Sequence, residues 1–317
     1  MRYASASASL LLRTAVFLLC WVCVTLPAKA DETAIHWSVL VGPGDATIVL
    51  QSGLGDGESS WRSLRKQLAK QARVFSYDRP GYGKSASVSG SRSPCDIADE
   101  LHRVLTDAGL HPPYVLVGHS LGGLYQHAFA QRYPDEVAAL VLIDATPPGH
   151  GARLQERMPK LYALARNAAG LSGAGREEFR DQDVCMDASS GLAQTTASSA
   201  RFPVRILMRS DYSILERGEF RRLWETTAQR WQHLWPQATV IVVPHSGHYI
   251  HQEQTSAVLQ VGEQMLGVRG NTRRPWLQSN ERSCRLRACN QGAGDASAPA
   301  QPYNRAAAKV SQAPTSP

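Results

Sequence analysis

Tyr114-Val115-Leu116-Val117-Gly118-His119-Ser120-Leu121-Gly122-Gly123 is the stretch on which the reading of this chain turns. Four strand-favouring residues run straight into Gly-x-Ser-x-Gly, and a helix-period stretch follows from Leu124 to Tyr133 until Pro134 stops it. A serine so placed sits on a tight, strained strand-to-helix turn, the context of a nucleophile elbow. Gly118 and Gly122 suit the close crossing of strand and helix, where larger side chains would collide. The turn pushes the Ser120 hydroxyl into open space, and the helix behind it supplies a positive dipole end and free N–H groups. Gly-x-Ser-x-Gly alone also describes ordinary Gly-rich turns. The strand before it and the helix after it make Ser120 a candidate nucleophile.

Outward from that turn, β and α patterns alternate, which predicts a mostly parallel central sheet with helices on both faces. Strands are expected at Thr47–Leu50, Val74–Tyr77, Tyr114–Val117, Ala139–Ile143, Val204–Met208 and Thr239–Val243, with Ile35–Val41 as an earlier edge strand. Helices are expected at Trp61–Gln71, Asp96–Ala108 (stopped by Gly109), Leu121–Tyr133, Glu219–Leu234 and Gln252–Leu266. The alternation breaks from about 147 to 199, a polar, Gly/Ala/Ser-rich segment between two strands. Long insertions in compact domains are usually functional, so it reads as a small cap over the site. Its Asp183 and Asp187 are expected to be solvated. From 269 to 317 periodicity is gone and Ala, Pro, Ser, Gln and Arg dominate, the composition of a disordered tail.

Composition bounds the rest. Residues 1–30 carry Arg2 and Arg13, an apolar run from Leu10 to Val24, and Ala28-Lys29-Ala30, the small-x-small form of a signal-peptidase site. The uninterrupted apolar part, Ala15 to Val24, is too short to span ~30 Å of hydrocarbon. The expectation is therefore an exported protein, periplasmic or extracellular, starting near Asp31, with no transmembrane span after cleavage. The net charge of +7 misleads. Leader and tail hold all of the excess, and residues 31–268 carry 23 basic against 25 acidic side chains. Nothing there suggests a nucleic-acid groove. Once the leader is gone, Cys95, Cys185, Cys284 and Cys289 remain. Export permits them to pair, with three connectivities open. Cys284 with Cys289 closes a local loop in the tail, which would leave Cys95 to tie the main domain to Cys185 in the insertion. No histidine accompanies the cysteines at ligand spacing, so no zinc site is read.

Further motifs follow in order. Gln51-Ser52-Gly53-Leu54-Gly55-Asp56-Gly57 succeeds one strand and Tyr77-Asp78-Arg79-Pro80-Gly81-Tyr82-Gly83-Lys84-Ser85 the next. Tyr133-Pro134-Asp135-Glu136-Val137 leads into Leu140-Val141-Leu142-Ile143-Asp144, and Ser246-Gly247-His248 follows the last strand. With these in place the chain resembles the α/β-hydrolase family, in its esterase-like branch with a short cap, from about Ile35 to Leu266.

That resemblance, joined to the chemistry a serine nucleophile needs, nominates the other site residues. His248, on the loop after the last strand, is the candidate base. His245 lies too close to the strand, His251 enters the final helix, and His119 has a structural role. The acid position after the strand Val204–Met208 nominates Asp211, although Met208-Arg209-Ser210-Asp211 stands where relatives commonly have Gly-x-x-Asp. Asp144, after the preceding strand, is the alternative. The oxyanion donors implied are the backbone N–H groups of Leu54 and Leu121. Ser52-Gly53 replaces the family's frequent His-Gly, keeping the glycine that lets the backbone approach. Asp78 and Arg79 look like scaffold that fixes a turn near the site, and Trp61 like packing beneath the oxyanion loop.

The function expected is a serine hydrolase cleaving carboxylic esters through an acyl-enzyme, on a small-molecule acyl substrate, with no metal or organic cofactor required. Amide or carbon–carbon hydrolysis and acyl transfer are alternatives on the same residues. An inactive binding module of the same fold is a further one. Dehalogenase and epoxide-hydrolase chemistry is disfavoured, because those relatives use Asp where Ser120 stands.

Overall fold

Alternation along single strands divides the core into two layers. In the strand Tyr114–His119, Leu116 packs to one side of the sheet while Val115 and Val117 pack to the other. In Val137–Ile143, Leu140 and Leu142 face one way and Val141 and Ile143 the other. Both strands are buried throughout, the behaviour of parallel strands covered on both faces. The computed structural model describes residues 34–87, 89–167, 173–186 and 202–267. They belong to one of two compact units, Met1–Asn271. The expected leader, the tail with Cys284 and Cys289, part of the insertion and Asp187 lie outside the described residues.

The strands are β1 Trp37–Leu40, β2 Thr47–Gln51, β3 Arg73–Tyr77, β4 Tyr114–His119, β5 Val137–Ile143, β6 Val204–Arg209 and β7 Thr239–Val243. Their order in the sheet is β1-β3-β2-β4-β5-β6-β7, with β1 antiparallel to β3 and every other pair parallel. β4 is therefore central, and the C-terminal ends of β4, β5 and β6 open on the same side. The helices are α1 Arg62–Leu68, α2 Pro94–Asp107, α3 Leu121–Arg132, α4 His150–Arg157, α5 Pro159–Arg166, α6 Gly173–Asp181, α7 Glu219–Glu225, α8 Thr227–Leu234, α9 Ile250–Glu253 and α10 Thr255–Gly267. One face of the sheet is covered by α2, α3 and α8 through Ile97, Leu101, Leu124, Phe129 and Trp231. The other is covered by α1, α9 and α10 through Leu64, Leu68, Ile250, Val258 and Met265.

The helix boundaries depart from the sequence expectation for local reasons. α2 starts two residues early because Ser93 caps it, its hydroxyl accepting from the Asp96 amide, with Pro94 at the first helical position. The expected helix Glu219–Leu234 is interrupted at Thr226, whose hydroxyl donates to the Leu223 carbonyl at 2.8 Å and competes with the helical ladder. Gln252–Leu266 is likewise two helices, parted at Gln254. In the insertion, α4, α5 and α6 form a small cap whose own cluster joins Leu154 and Phe179 to Leu223. Asp183 is not free in solvent: its carboxylate accepts from the Ala152 amide at 2.7 Å in the first turn of α4. Cys95 on α2 and Cys185 after α6 form a disulfide, which ties the cap to the main domain. No helix of the described residues is long and apolar enough to cross a membrane.

Candidate active site

Ser120 stands between β4 and α3 with φ 53°, a positive value that costs a non-glycine residue on the order of 1–3 kcal/mol and persists only where the surroundings enforce it. The enforcement is visible. Ser120 N donates to Ile143 O at 3.1 Å, and its own carbonyl accepts from Gly123 N and Thr146 N, each at 3.0 Å. A side chain on Gly118 would strike the Gly122 carbonyl, and one on Gly122 would strike the carbonyls of Gln51 and Ser52. The strand, helix and neighbouring loop thus lock the turn that lifts the hydroxyl off the sheet.

His248, after β7, brings Nε2 to 3.0 Å from Ser120 Oγ. Its Nδ1 lies 2.6 Å from Oδ2 of Asp144. This corrects the expectation for Asp211. That residue is exposed, its amide is tied to Ser246 O at 2.9 Å, and its carboxylate accepts from Ser210 Oγ at 2.8 Å. Asp144 reaches the imidazole because it is fully buried at the end of β5 in its own strained turn, φ 42°, with its amide on Leu207 O at 2.8 Å. Its Oδ1 accepts from Trp224 Nε1 at 2.9 Å and from Arg209 N at 3.3 Å. Arg209 Nε also lies 3.0 Å from Oδ2. Neither Trp224 nor Arg209 was singled out from the sequence. The one available signal was an arginine directly after the apolar run Ile206-Leu207-Met208.

The other histidines fall where packing needs them. His119 is buried, donates from Nε2 to the His248 carbonyl at 3.0 Å, and so braces the base from behind. Burial, with His248 and His251 beside it, holds its pKa well below the ordinary value. His251 packs on Trp61 at 4.3 Å between ring centroids, and burial lowers its pKa to about 3. His245 follows the strand with φ 54°, and its carbonyl accepts from Gln254 Nε2 at 2.9 Å.

Leu54 and Leu121 both line a cavity of about 200 Å³ beside Ser120 and His248. Leu121 opens α3, so its N–H has no carbonyl of its own helix to bond. Ser52 carries the bracing that a histidine often supplies in relatives: its hydroxyl donates to Gly57 O at 2.9 Å and accepts from Trp61 Nε1 at 2.8 Å. Asp78 accepts from Glu58 N at 2.7 Å and Lys84 N at 3.0 Å, fixing two turns at once. Arg79 is buried and donates to Ser52 O at 2.7 Å and Gly53 O at 2.8 Å. From the cap, His150, Leu154, Phe179 and Gln182 close the cavity, and Phe220 and Trp224 form its side. Among the described residues His36, Glu58 and Asp78 also bring potential ligand atoms within 4.8 Å of one another. There Glu58 is already paired with Arg65, and Asp78 is taken up by the two amides, so the cluster is a closed polar network.

Comparison with known proteins agrees with this fold. The family model described as the alpha/beta hydrolase fold matches residues 46–174. YqjL, an uncharacterised protein of Bacillus subtilis (strain 168), is 31% identical over 114 residues, 36% of this chain and 45% of that protein. A Variovorax paradoxus (strain S110) protein named "Putative carbamate hydrolase RutD" is 38% identical over 124 residues, 38% of this chain and 46% of its own length. The chain thus spans less than half the length of these curated relatives. Among solved structures, a thermophilic esterase from Thermogutta terrifontis superposes with TM-score 0.52 at 22% identity, covering 73% of this chain and 92% of that one. MenH from S. aureus gives TM-score 0.57 at 16% identity, covering 74% and 99%. The strand order and these similarities together show the α/β-hydrolase fold.

Proposed function

We propose that the chain is an exported serine hydrolase that cleaves carboxylic esters of small acyl groups through an acyl-enzyme. The observation that carries this reading is the hydrogen-bonded series Ser120 Oγ, His248 Nε2, His248 Nδ1 and Asp144 Oδ2, opening on a cavity between the sheet and the cap. Ser120 Oγ attacks the ester carbonyl while His248 Nε2 takes its proton, and the carbonyl oxygen becomes an oxyanion facing the Leu54 and Leu121 amides. Asp144 accepts the Nδ1 hydrogen, holds the tautomer and stabilises the imidazolium. His248 returns the proton to the leaving alcohol. A water then repeats the sequence on the acyl-serine, releasing the acid and restoring Ser120.

A cavity of about 200 Å³ is smaller than the ~300–1,000 Å³ of sites for drug-sized ligands, which favours a short acyl group. Export is supported by the composition of residues 1–30 and by the Cys95–Cys185 disulfide, a linkage of oxidising compartments. The similarity to RutD proteins favours a second reading on the same residues, in which the carbonyl belongs to a carbamate, the alcohol leaves and the acyl-enzyme is a carbamoyl-serine that water hydrolyses.

A fluorophosphonate probe should label Ser120 and fail to label Ser120→Ala. Ser120→Ala and His248→Ala should each lower aryl-ester turnover roughly 10⁴–10⁶-fold, and the double variant should be scarcely worse, because these groups act as a unit. Near-normal turnover by Ser120→Ala would remove the serine-hydrolase reading. A panel of aryl acetate, butyrate and decanoate, with the matching carbamate, separates the substrates. Preference for decanoate would overturn the short-acyl assignment, and preference for the carbamate would move the assignment to the second reading.

A further inference from the structure

Arg79 sits on the loop after β3, and both of its faces are engaged. Toward the sheet it donates to the carbonyls of Ser52 and Gly53 at 2.7 and 2.8 Å. Toward the cap it meets Glu178 of α6 in a two-pronged pair, Nε to Oε1 and Nη2 to Oε2, each at 2.9 Å. Glu178 has no exposed surface. Its carboxylate also accepts from Tyr82 Oη at 2.8 Å and from Arg92 Nη2 at 3.2 Å, and Arg92 in turn pairs with Glu100 at 2.6 Å. Close docking of α6 on this loop depends on Gly81, where a side chain would run into Ala174.

The Gly53 carbonyl and the Leu54 N–H belong to one planar peptide unit. A donor held on that oxygen fixes the plane in which the Leu54 N–H points, and it polarises the amide so that the N–H becomes a stronger donor. A buried pair of this kind is weak evidence of a stabilising purpose, since apolar residues of similar volume commonly serve stability as well or better. Its planar fork is well suited to orientation instead.

We propose that Glu178 is a positioning residue for the reaction: acting through Arg79, it sets the orientation and donor strength of the Leu54 amide in the oxyanion site. The cap thereby contributes to catalysis as well as to enclosing substrate. This rests on the serine-hydrolase reading above. Tyr82 and Arg92 hold the carboxylate in register, and the Cys95–Cys185 disulfide anchors the segment after α6 to α2, the helix that carries Glu100.

The test is carried out on the full chain with Glu178→Gln, which keeps shape and removes charge, and with Tyr82→Phe, which removes one hydroxyl donor from Glu178. Each is assayed with a short-chain aryl ester and with a short-chain trifluoromethyl ketone, whose serine adduct carries an anionic oxygen. Losing an entire oxyanion donor costs about 10²–10³ in kcat, so misaiming one should cost about 10- to 100-fold for Glu178→Gln. Inhibition by the ketone should weaken by the same factor while KM for the ester stays within about threefold, the mark of an interaction made in the transition state. Tyr82→Phe should move kcat and ketone affinity together by a few-fold, and it carries the test if Glu178→Gln does not fold. Unchanged kcat and ketone affinity in a folded variant, with only the melting temperature lowered, would overturn the proposal. Ser120→Ala run alongside keeps the two readings apart. If it retains turnover, the serine assignment has failed; if it is dead while Glu178→Gln is normal, only the role of Glu178 has.

Discussion

The cavity has a wall built from the sheet and a wall built from the cap, and the two are held by different forces. On the sheet side, Ser120 and Asp144 occupy positive-φ turns fixed by backbone bonds to Ile143, Gly123, Thr146 and Leu207. On the cap side the ties described above are side-chain pairs and one covalent link: Glu178 with Arg79 and Arg92, and Cys95 with Cys185. Backbone turns position atoms with few degrees of freedom, while side-chain pairs hold the inserted cap helices against them. The difference implies that substitutions in the sheet wall act mainly on the chemistry, and those in the cap wall on stability and on the tuning of that chemistry.

The strongest way to break this contrast lies within the sheet wall. Asp144→Asn should lower kcat about 10⁴-fold, because an amide cannot hold the His248 tautomer or stabilise the imidazolium. Asp211→Asn, at an exposed carboxylate, should stay within a few-fold. Asp144 also faces the buried Arg209, which keeps Glu216 as a second partner, so the variant should remain folded and is assayed well below its own melting point. Equal losses for the two variants, or the reverse ranking, would return the acid role to Asp211.

A smaller effect is expected from the cap. Cys95→Ser and Cys185→Ser should each lower stability by about 2–4 kcal/mol, since the disulfide closes a sequence separation of 90 residues. At ~2–4 °C per kcal/mol for a domain of this size, the melting temperature should fall by several degrees or more. Reductant on the native chain should reproduce the shift. Turnover at low temperature should fall by far less than in Asp144→Asn. A melting temperature indifferent to reductant would show that the cap does not depend on the link.

The same contrast explains what could be read from the sequence. β4, the Ser120 turn and His248 are legible because each is coded locally: apolar alternation, glycines at a crossing, and a short loop after the last strand. The carboxylate that meets His248 was not, because Asp144 and Asp211 both follow parallel strands and nothing adjacent in sequence records which side chain turns inward. That depends on the Asp144 turn and its bond to Leu207 across the neighbouring strand. The cap wall was legible as an insertion tied back by Cys95 and Cys185, the pair left when Cys284 and Cys289 are matched in the tail. Its ionic tie was not, because Glu178 lies 99 residues from Arg79, a distance over which periodicity carries no signal.

The smallest expected effect uses histidines of both walls. Burial lowers the pKa of His127 and His251, on the sheet side, to about 3, and that of His150, on the cap side, to about 4. In the unfolded chain each returns to about 6.5, so below that pH the unfolded state binds protons that the folded state refuses. Their stabilising contribution is complete above pH 6.5 and is lost as the pH falls toward 4, by about 1.4 kcal/mol per pH unit for each histidine. His127 shows the structural reason: Trp235 Nε1 donates to its Nδ1 at 3.1 Å, so a second proton would displace that bond. Denaturant unfolding followed from pH 7.5 to 5 should show a steep fall, and His127→Gln should flatten it by one histidine's share whatever its effect at neutral pH. His150→Gln separates the two walls. If the cap melts together with the sheet, it flattens the slope equally. If the cap opens first as a unit of lower stability, His150 takes up its proton in that local opening, and its replacement leaves the global slope unchanged while shifting the acid limb of cap protection in hydrogen exchange. A slope unaffected by His127→Gln would contradict the buried, neutral state assigned to that imidazole.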